Sequence, residues 1–206
     1  FTVTGVADSA SYAERTSLIT ASATNCTNGT ATITVLNADL APITPISLDG
    51  SDSNSYSQNF NGLGTNSVPR VFPASNGVQV SLGAITANTV NGWYGAKIAG
   101  TGTSATDLLA NAGTTSTGTL YSFGITNDMN RALGTIATGT TTMAFGALIK
   151  NDTGGTITNV KVSFTAEFWR SSTASSNNVL TFGYGTINGT NSTETNFLTT
   201  AGATPF

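Results

Sequence analysis

Between residues 161 and 170 the chain reads KVSFTAEFWR. Successive side chains of a strand point to opposite sides. Val162, Phe164, Ala166 and Phe168 therefore share one face, and Lys161, Ser163, Thr165 and Glu167 share the other. Trp169 falls on the polar side, an exception that needs a cause. Similar alternation predicts strands along most of the chain. TSLITASA (16–23) and TATITVL (30–36) flank the turn-rich NCTNG and read as a half-buried hairpin. Further strands are predicted at 55–60, 77–83, 91–99, 119–125, 141–150, 156–170 and 178–185. In 141–150, Met143, Phe145, Ala147 and Ile149 share a face; in 178–185, Leu180, Phe182 and Tyr184 do.

Turn chemistry separates these runs. NDTGG (151–155) and SSTASSNN (171–178) are short connections, so 141–150, 156–170 and 178–185 read as an antiparallel meander. One apolar face per strand demands a second layer to cover it. The expected fold is all-β: an antiparallel, jelly-roll-like β-sandwich with a β-rich N-terminal extension. LAPITPISLDGSDSNS (40–55) reads as a linker, because two prolines exclude a central strand. The division is placed there: an N-terminal β segment over 1–48, a candidate strand donor or source of extra strands, and a sandwich domain over 49–206. SATDLLANAG (104–113) is the one helical signal, with Ser104 as cap and Gly113 as stop. The Thr-rich runs near 113–119 and 138–143 share no fixed period, so a solenoid is not expected.

Composition narrows the function classes. Charged residues make up 8% of the 206, against about 25% in an ordinary domain. The polarity comes from Thr, Ser and Asn, while 38% of residues are hydrophobic and mean hydropathy is +0.05. That combination favours a packed core over disorder. The net charge is −3 and the seven basic residues are scattered, so there is no basic stripe for nucleic acid. Anionic membranes are disfavoured for the same reason. No run of about 18 apolar residues predicts a transmembrane helix, and no stretch reads as a signal peptide. Neither nucleic-acid binding nor membrane insertion is expected. Histidine is absent and Cys26 is the only cysteine. That removes the commonest general base and metal ligand and leaves no intrachain disulfide.

From about 55 to 185 the chain resembles a family of secreted bacterial modules found in cell-surface and extracellular proteins, some with sorting signals. The resembling stretches are YSQNFNGL (56–63), NGWYGAKIAG (91–100), LYSFGITNDMNRALGTI (120–136), AFGALIKNDTGGTITNVKVSFTAEFWR (144–170) and VLTFGYG (179–185). Asn130-Arg131-Ala132-Leu133-Gly134 keeps the family's pattern, as do Glu167 and Trp169-Arg170; Phe168 replaces its usual Gln. The resemblance implies a β-sandwich in an extracellular or cell-surface setting and, for want of a defined family activity, little chemistry. It also implies strands beyond 185, for which the residues before 50 are a candidate source.

Candidate binding or interface residues are Trp169, Glu167, Arg131, Arg170, Trp93 and Tyr94. Trp169 has three readings: an edge cap beside a Glu167 pair with Arg131 or Arg170, an aromatic platform for a sugar ring, or a side chain buried by a neighbouring subunit. Trp93 and Tyr94 must face opposite sides of their strand. Asp128 with Asn130 is a weak oxygen cluster for a metal, and Asp49 with Asp52 a weaker one. The sequons at Asn25, Asn28, Asn151, Asn188 and Asn191 are glycosylation candidates. No catalytic dyad is recognisable, and no cofactor is expected. The expected function is that of a non-enzymatic extracellular structural protein, a subunit of a surface assembly or filament whose partners are copies of itself or other surface proteins. The alternative is a carbohydrate-binding or adhesive module that takes polysaccharide.

Overall fold

A computed structural model describes residues 15–21, 24, 29–35, 44–69, 79–83, 90–101, 107–171, 179–186, 198, 204 and 205. The chain divides into two compact units, Phe1–Ala41 and Pro42–Phe206. The first holds the predicted hairpin. Strand β1 (Arg15–Ala21) pairs antiparallel with β2 (Gly29–Val35), so that Leu18 faces Thr32 and Ile19 faces Ala31.

The second unit is built from short strands. In chain order they are β3 (Ile46–Leu48), β4 (Val68–Pro69), β5 (Gln79–Ser81), β6 (Trp93–Ala99), β7 (Asp107–Asn111), β8 (Thr119–Phe123), β9 (Ala132–Ile136), β10 (Thr142–Ala147), β11 (Ile149–Asn151), β12 (Gly183–Tyr184) and β13 (Thr204–Pro205). A three-stranded antiparallel sheet runs β10–β6–β5, and a four-stranded sheet runs β4–β7–β8–β9 with its β7–β8 pair parallel. Pairs β11–β3 and β12–β13 complete the ladders among the described residues. The protein is essentially all-β; among the described residues single-turn 3-10 elements occur at Ser51–Asn54 and Asn61–Leu63, and Leu198 is helical. No helix among the described residues is long and apolar enough to cross a membrane.

Alternation decides what each face meets. Leu120 and Ser122 of β8 share a face with Leu108 of β7 and Leu133 of β9, as the registers require. Leu108, Leu120 and Leu133 join Leu63, Leu82, Val90 and Met143 in one hydrophobic cluster, against which Trp93 and Phe145 also pack. The other side of β6 carries Tyr94 and Ala96 into a second cluster with Leu198. Trp93 and Tyr94 thus serve opposite faces.

Four expectations fail, each for a physical reason. First, the 40–55 stretch is not a free linker. Ile46–Leu48 pairs in parallel with Ile149–Asn151, and the Ile46 N–H donates to Leu148 O at 2.8 Å. The prolines before it permit an edge strand, as a two-stranded pair is. Residues 42–48 accordingly lie in the second unit.

Second, residues 107–111 are a strand rather than a helix. Two leucines in a five-residue run fit either period, and Leu108 is drawn into the core beside Leu120.

Third, residues 55–60 form no ladder. Phe60 takes a left-handed conformation at the head of the 61–63 turn, with its N–H donating to Gln58 Oε1 at 2.8 Å.

Fourth, the 141–150, 156–170, 178–185 meander does not form. Strand β10 gives its ladder to β6, and residues 156–170 take no strand partner among the described residues. Only Gly183–Tyr184 of the third run is in a strand, paired with Thr204–Pro205. Ile149, expected inward with Met143, is exposed, because β11 turns to β3 after the break at Leu148.

Candidate functional site

The outer face of the four-stranded sheet carries Tyr121 and Phe123. Their rings stack with centroids 4.8 Å apart and planes 17° from parallel. Gly134, opposite Tyr121 on β9, lets the Phe123 ring lie over the strand, since a Cβ there would overlap the ring. The Trp169 indole lies over Phe123, with centroids 6.0 Å apart and planes within 6° of parallel. The exception in the sequence pattern therefore has its cause. At Trp169 the chain closes over β8, while Lys161, Ser163, Thr165 and Glu167 before it stay exposed. Phe123 is 5% exposed as a result, and Tyr121 is fully buried.

The crossing is fixed on both sides of the indole. Trp169 Nε1 donates to Glu167 Oε2 at 2.8 Å, and the Arg170 guanidinium donates to Gly113 O at 3.2 Å. Gly113 has φ +84°, and a Cβ there would overlap the Trp169 carbonyl. Gly113 is thus where two chain segments touch, not where a helix stops. Burial pushes the Tyr121 phenol above its ordinary pKa, opposed by hydrogen bonds with Thr115 and Thr117 and by the Arg170 charge. The phenol O–H donates to Thr117 O at 2.6 Å.

Arg131 lies on the opposite face of β8. It is 4% exposed. Its Nε donates to Ser122 Oγ at 2.9 Å, one terminal nitrogen donates to Ser122 O, and the other to Ile125 O at 3.1 Å and Asp128 O at 3.4 Å. Burial lowers its pKa, and the Asp128 charge opposes the shift. The guanidinium pins the 124–130 loop to β8. The expected pairing of Glu167 with Arg131 or Arg170 is not observed: Glu167 accepts from Trp169 and Arg170 donates to Gly113 O, while an ion pair joins Lys150 Nζ to Asp152 Oδ1 at 2.6 Å.

Trp93 packs edge-on against Phe60, with centroids 4.7 Å apart and planes at 80°, and its Nε1 donates to Tyr56 Oη at 2.9 Å. Tyr94 is buried; its Oη accepts from the Thr44 N–H at 2.8 Å and donates to Thr44 O at 3.3 Å. Burial raises the Tyr94 pKa, with the Thr44 bond opposing. Both are fold-building side chains that tie residues 44–60 to β6.

The oxygen clusters are used locally. Asp128 Oδ1 accepts from the Asn130 N–H at 2.9 Å, closing a turn. Asp49 accepts from the Ser51 N–H at 2.9 Å and the Ser51 hydroxyl at 2.5 Å, which lowers its pKa. No group of three metal-ligating acid or sulfur side chains occurs among the described residues. Asn151, the one sequon asparagine described, donates its amide to Gly155 O at 2.7 Å, while its Oδ1 accepts from Thr153 Oγ1 at 2.7 Å. Asn25, Asn28, Asn188, Asn191, Asp52's side chain and Cys26 lie outside what is described.

The feature that candidate-residue reasoning missed is the other face of 156–170. Residues 158–168 are exposed throughout. Val162 is 58%, Phe164 60% and Phe168 80% exposed, and in the 179–184 segment Val179 is 82% and Leu180 56% exposed. The two segments meet where Phe164 stacks on Phe182 at 4.4 Å. The alternation itself was the signal: it defines an apolar face, and among the described residues no layer covers it. Comparison of the chain with known protein families, with characterised proteins and with solved structures finds no match in any of the three.

Proposed function

We propose that the protein is a non-enzymatic structural subunit of an extracellular assembly or filament. One observation carries the reading. The apolar side chains of 160–168 and 179–184 are exposed; the first segment is anchored at its end by Trp169 and Arg170, and Phe182 of the second stacks on Phe164. Contiguous exposed apolar surface on a soluble protein marks a contact with another macromolecule. The low charge agrees, since copies of a chain with net charge −3 repel one another weakly. In this reading the two larger sheets are the layers of a jelly-roll-like sandwich, with one hydrophobic cluster between them drawing side chains from both. Light scattering on the full chain across concentration, with negative-stain microscopy of the native material, tests it. Association into regular particles is the expected result; a 20.9 kDa monomer at every concentration contradicts it.

A second reading, a carbohydrate-binding module, has one observation in its favour. Trp169 is half-buried and carries the Glu167 carboxylate at its ring nitrogen, an aromatic beside a polar rim, as sugar rings require. Arg131 takes no part in that site, being buried on the other face of β8. If the reading holds, Trp169→Phe keeps the fold and weakens polysaccharide retention in affinity electrophoresis; unchanged retention removes Trp169 from the site.

A further inference from the structure

We infer that the 160–168 segment pairs antiparallel with the same segment of a second copy, about a two-fold axis at Phe164. This rests on the assembly reading and names its partner and register. Among the described residues the backbone of 158–168 takes no hydrogen bond from the main chain, and both its faces are exposed. An unpaired, alternating run is a template for another strand. Residues 156–168 contain no Pro and no Gly, and the face of Val160, Val162, Phe164, Ala166 and Phe168 carries no charge, so on that face the usual protections against such pairing are missing.

The sequence is self-complementary in one register. With Phe164 opposite Phe164 of the second copy, Val162 meets Ala166 and Val160 meets Phe168, which joins apolar face to apolar face. On the polar face Lys161 meets Glu167, twice by symmetry. Registers two residues away keep the apolar match but set Lys161 opposite Thr165 or Trp169. The two charges of the 156–168 run therefore select the two-fold arrangement. Phe182, stacked on Phe164, extends the apolar surface that the second copy covers. The interface is isologous, as two-fold dimers require.

Charge reversal in the full chain tests the register, read as a dimer dissociation constant by analytical ultracentrifugation. Lys161→Glu and Glu167→Lys each place two like-charge pairs in the dimer and weaken it roughly tenfold or more. The double variant restores the opposite charges and recovers affinity to within a few-fold of the parent. Glu167→Lys also removes the Trp169 hydrogen bond, but the double variant shares that loss, so the recovery reports the pair alone. A second readout is covalent. In a Cys26→Ser background, Phe164→Cys forms an intermolecular disulfide with diamide, because facing Cα atoms of such a pair lie about 4.5–5.5 Å apart. Thr158→Cys does not, since its copies sit roughly 40 Å apart in this register. A parent that associates while charge reversal has no effect and Phe164→Cys stays reduced overturns the inference and leaves the assembly reading standing. A parent that stays monomeric overturns both.

Discussion

Trp169→Ala is the substitution that most directly probes how the chain closes over the four-stranded sheet. The indole is half-buried and stacked on Phe123 with planes within 6°. A fully buried Trp removes about 150–250 Å² from water, so half of that at about 25 cal/mol per Å² is worth roughly 2–3 kcal/mol. The stacked geometry adds about 1 kcal/mol. Extended-chain areas overstate burial, which sets the expected loss at about 2–3 kcal/mol. In a unit of this size that lowers Tm by roughly 5–10 °C. Urea unfolding followed by far-UV circular dichroism gives the free energy. Trp169→Phe keeps the stack and gives up the Glu167 bond, for a loss of about 1 kcal/mol. With Trp93→Phe as background, Trp169 becomes the only indole and its emission reports the same transition. If Trp169→Ala unfolds within 0.5 kcal/mol of the parent, roughly the scatter of neutral surface changes, the indole does not cover Phe123 and Tyr121.

Three further outcomes follow from the same geometry. Arg131→Met leaves the carbonyls of Ser122, Ile125 and Asp128 short of their donor and costs about 3 kcal/mol by chemical denaturation. Arg131→Lys recovers less than half of that, because one ammonium cannot span acceptors arranged for a planar fork. Gly113→Ala forces a Cβ into the Trp169 carbonyl at a positive φ; it costs about 1–3 kcal/mol and reduces the protection of Trp169 from acrylamide quenching. Asp152 is held below its ordinary pKa by Lys150 and then by Ser47. A depressed carboxyl contributes stability that is present above its unfolded pKa, about 3.9, and lost as pH falls through the folded value. Amide exchange in Ile46–Leu48 and Ile149–Asn151 accelerates below about pH 4 in the parent, beyond the intrinsic trend, and Asp152→Asn shows no such step.

What the sequence reveals and conceals divides along one physical line. Periodicity says which side chains share a face, and here it does so well. The β1–β2 hairpin, the opposed Trp93 and Tyr94, and the apolar side of 160–168 are all visible in the order of residues. It says nothing of what lies against a face. Phe164 and Phe168 read as core because apolar faces ordinarily are covered; in the structure both faces of 158–168 are exposed, and the side chain that finds cover is Trp169. Its partner Phe123 is distant in sequence, and no local pattern joins them. Arg131 reads as a binding or interface group, or a partner for Glu167, because arginines usually lie at the surface. Its acceptors are backbone carbonyls, which leave no mark in a sequence. Strand β7 was hidden by length, five residues being too few to separate the two periods.

The central claim is that the exposed 160–168 segment finds its ladder partner in another copy of the chain. Hydrogen–deuterium exchange of the full chain, read by mass spectrometry on peptides covering 156–171 at two protein concentrations a hundredfold apart, measures that directly. The account predicts fast exchange when dilute and slowed exchange across 160–168 when concentrated, with β6 and β8 protected at both. Fast exchange at both concentrations, or equal protection at both, would contradict it.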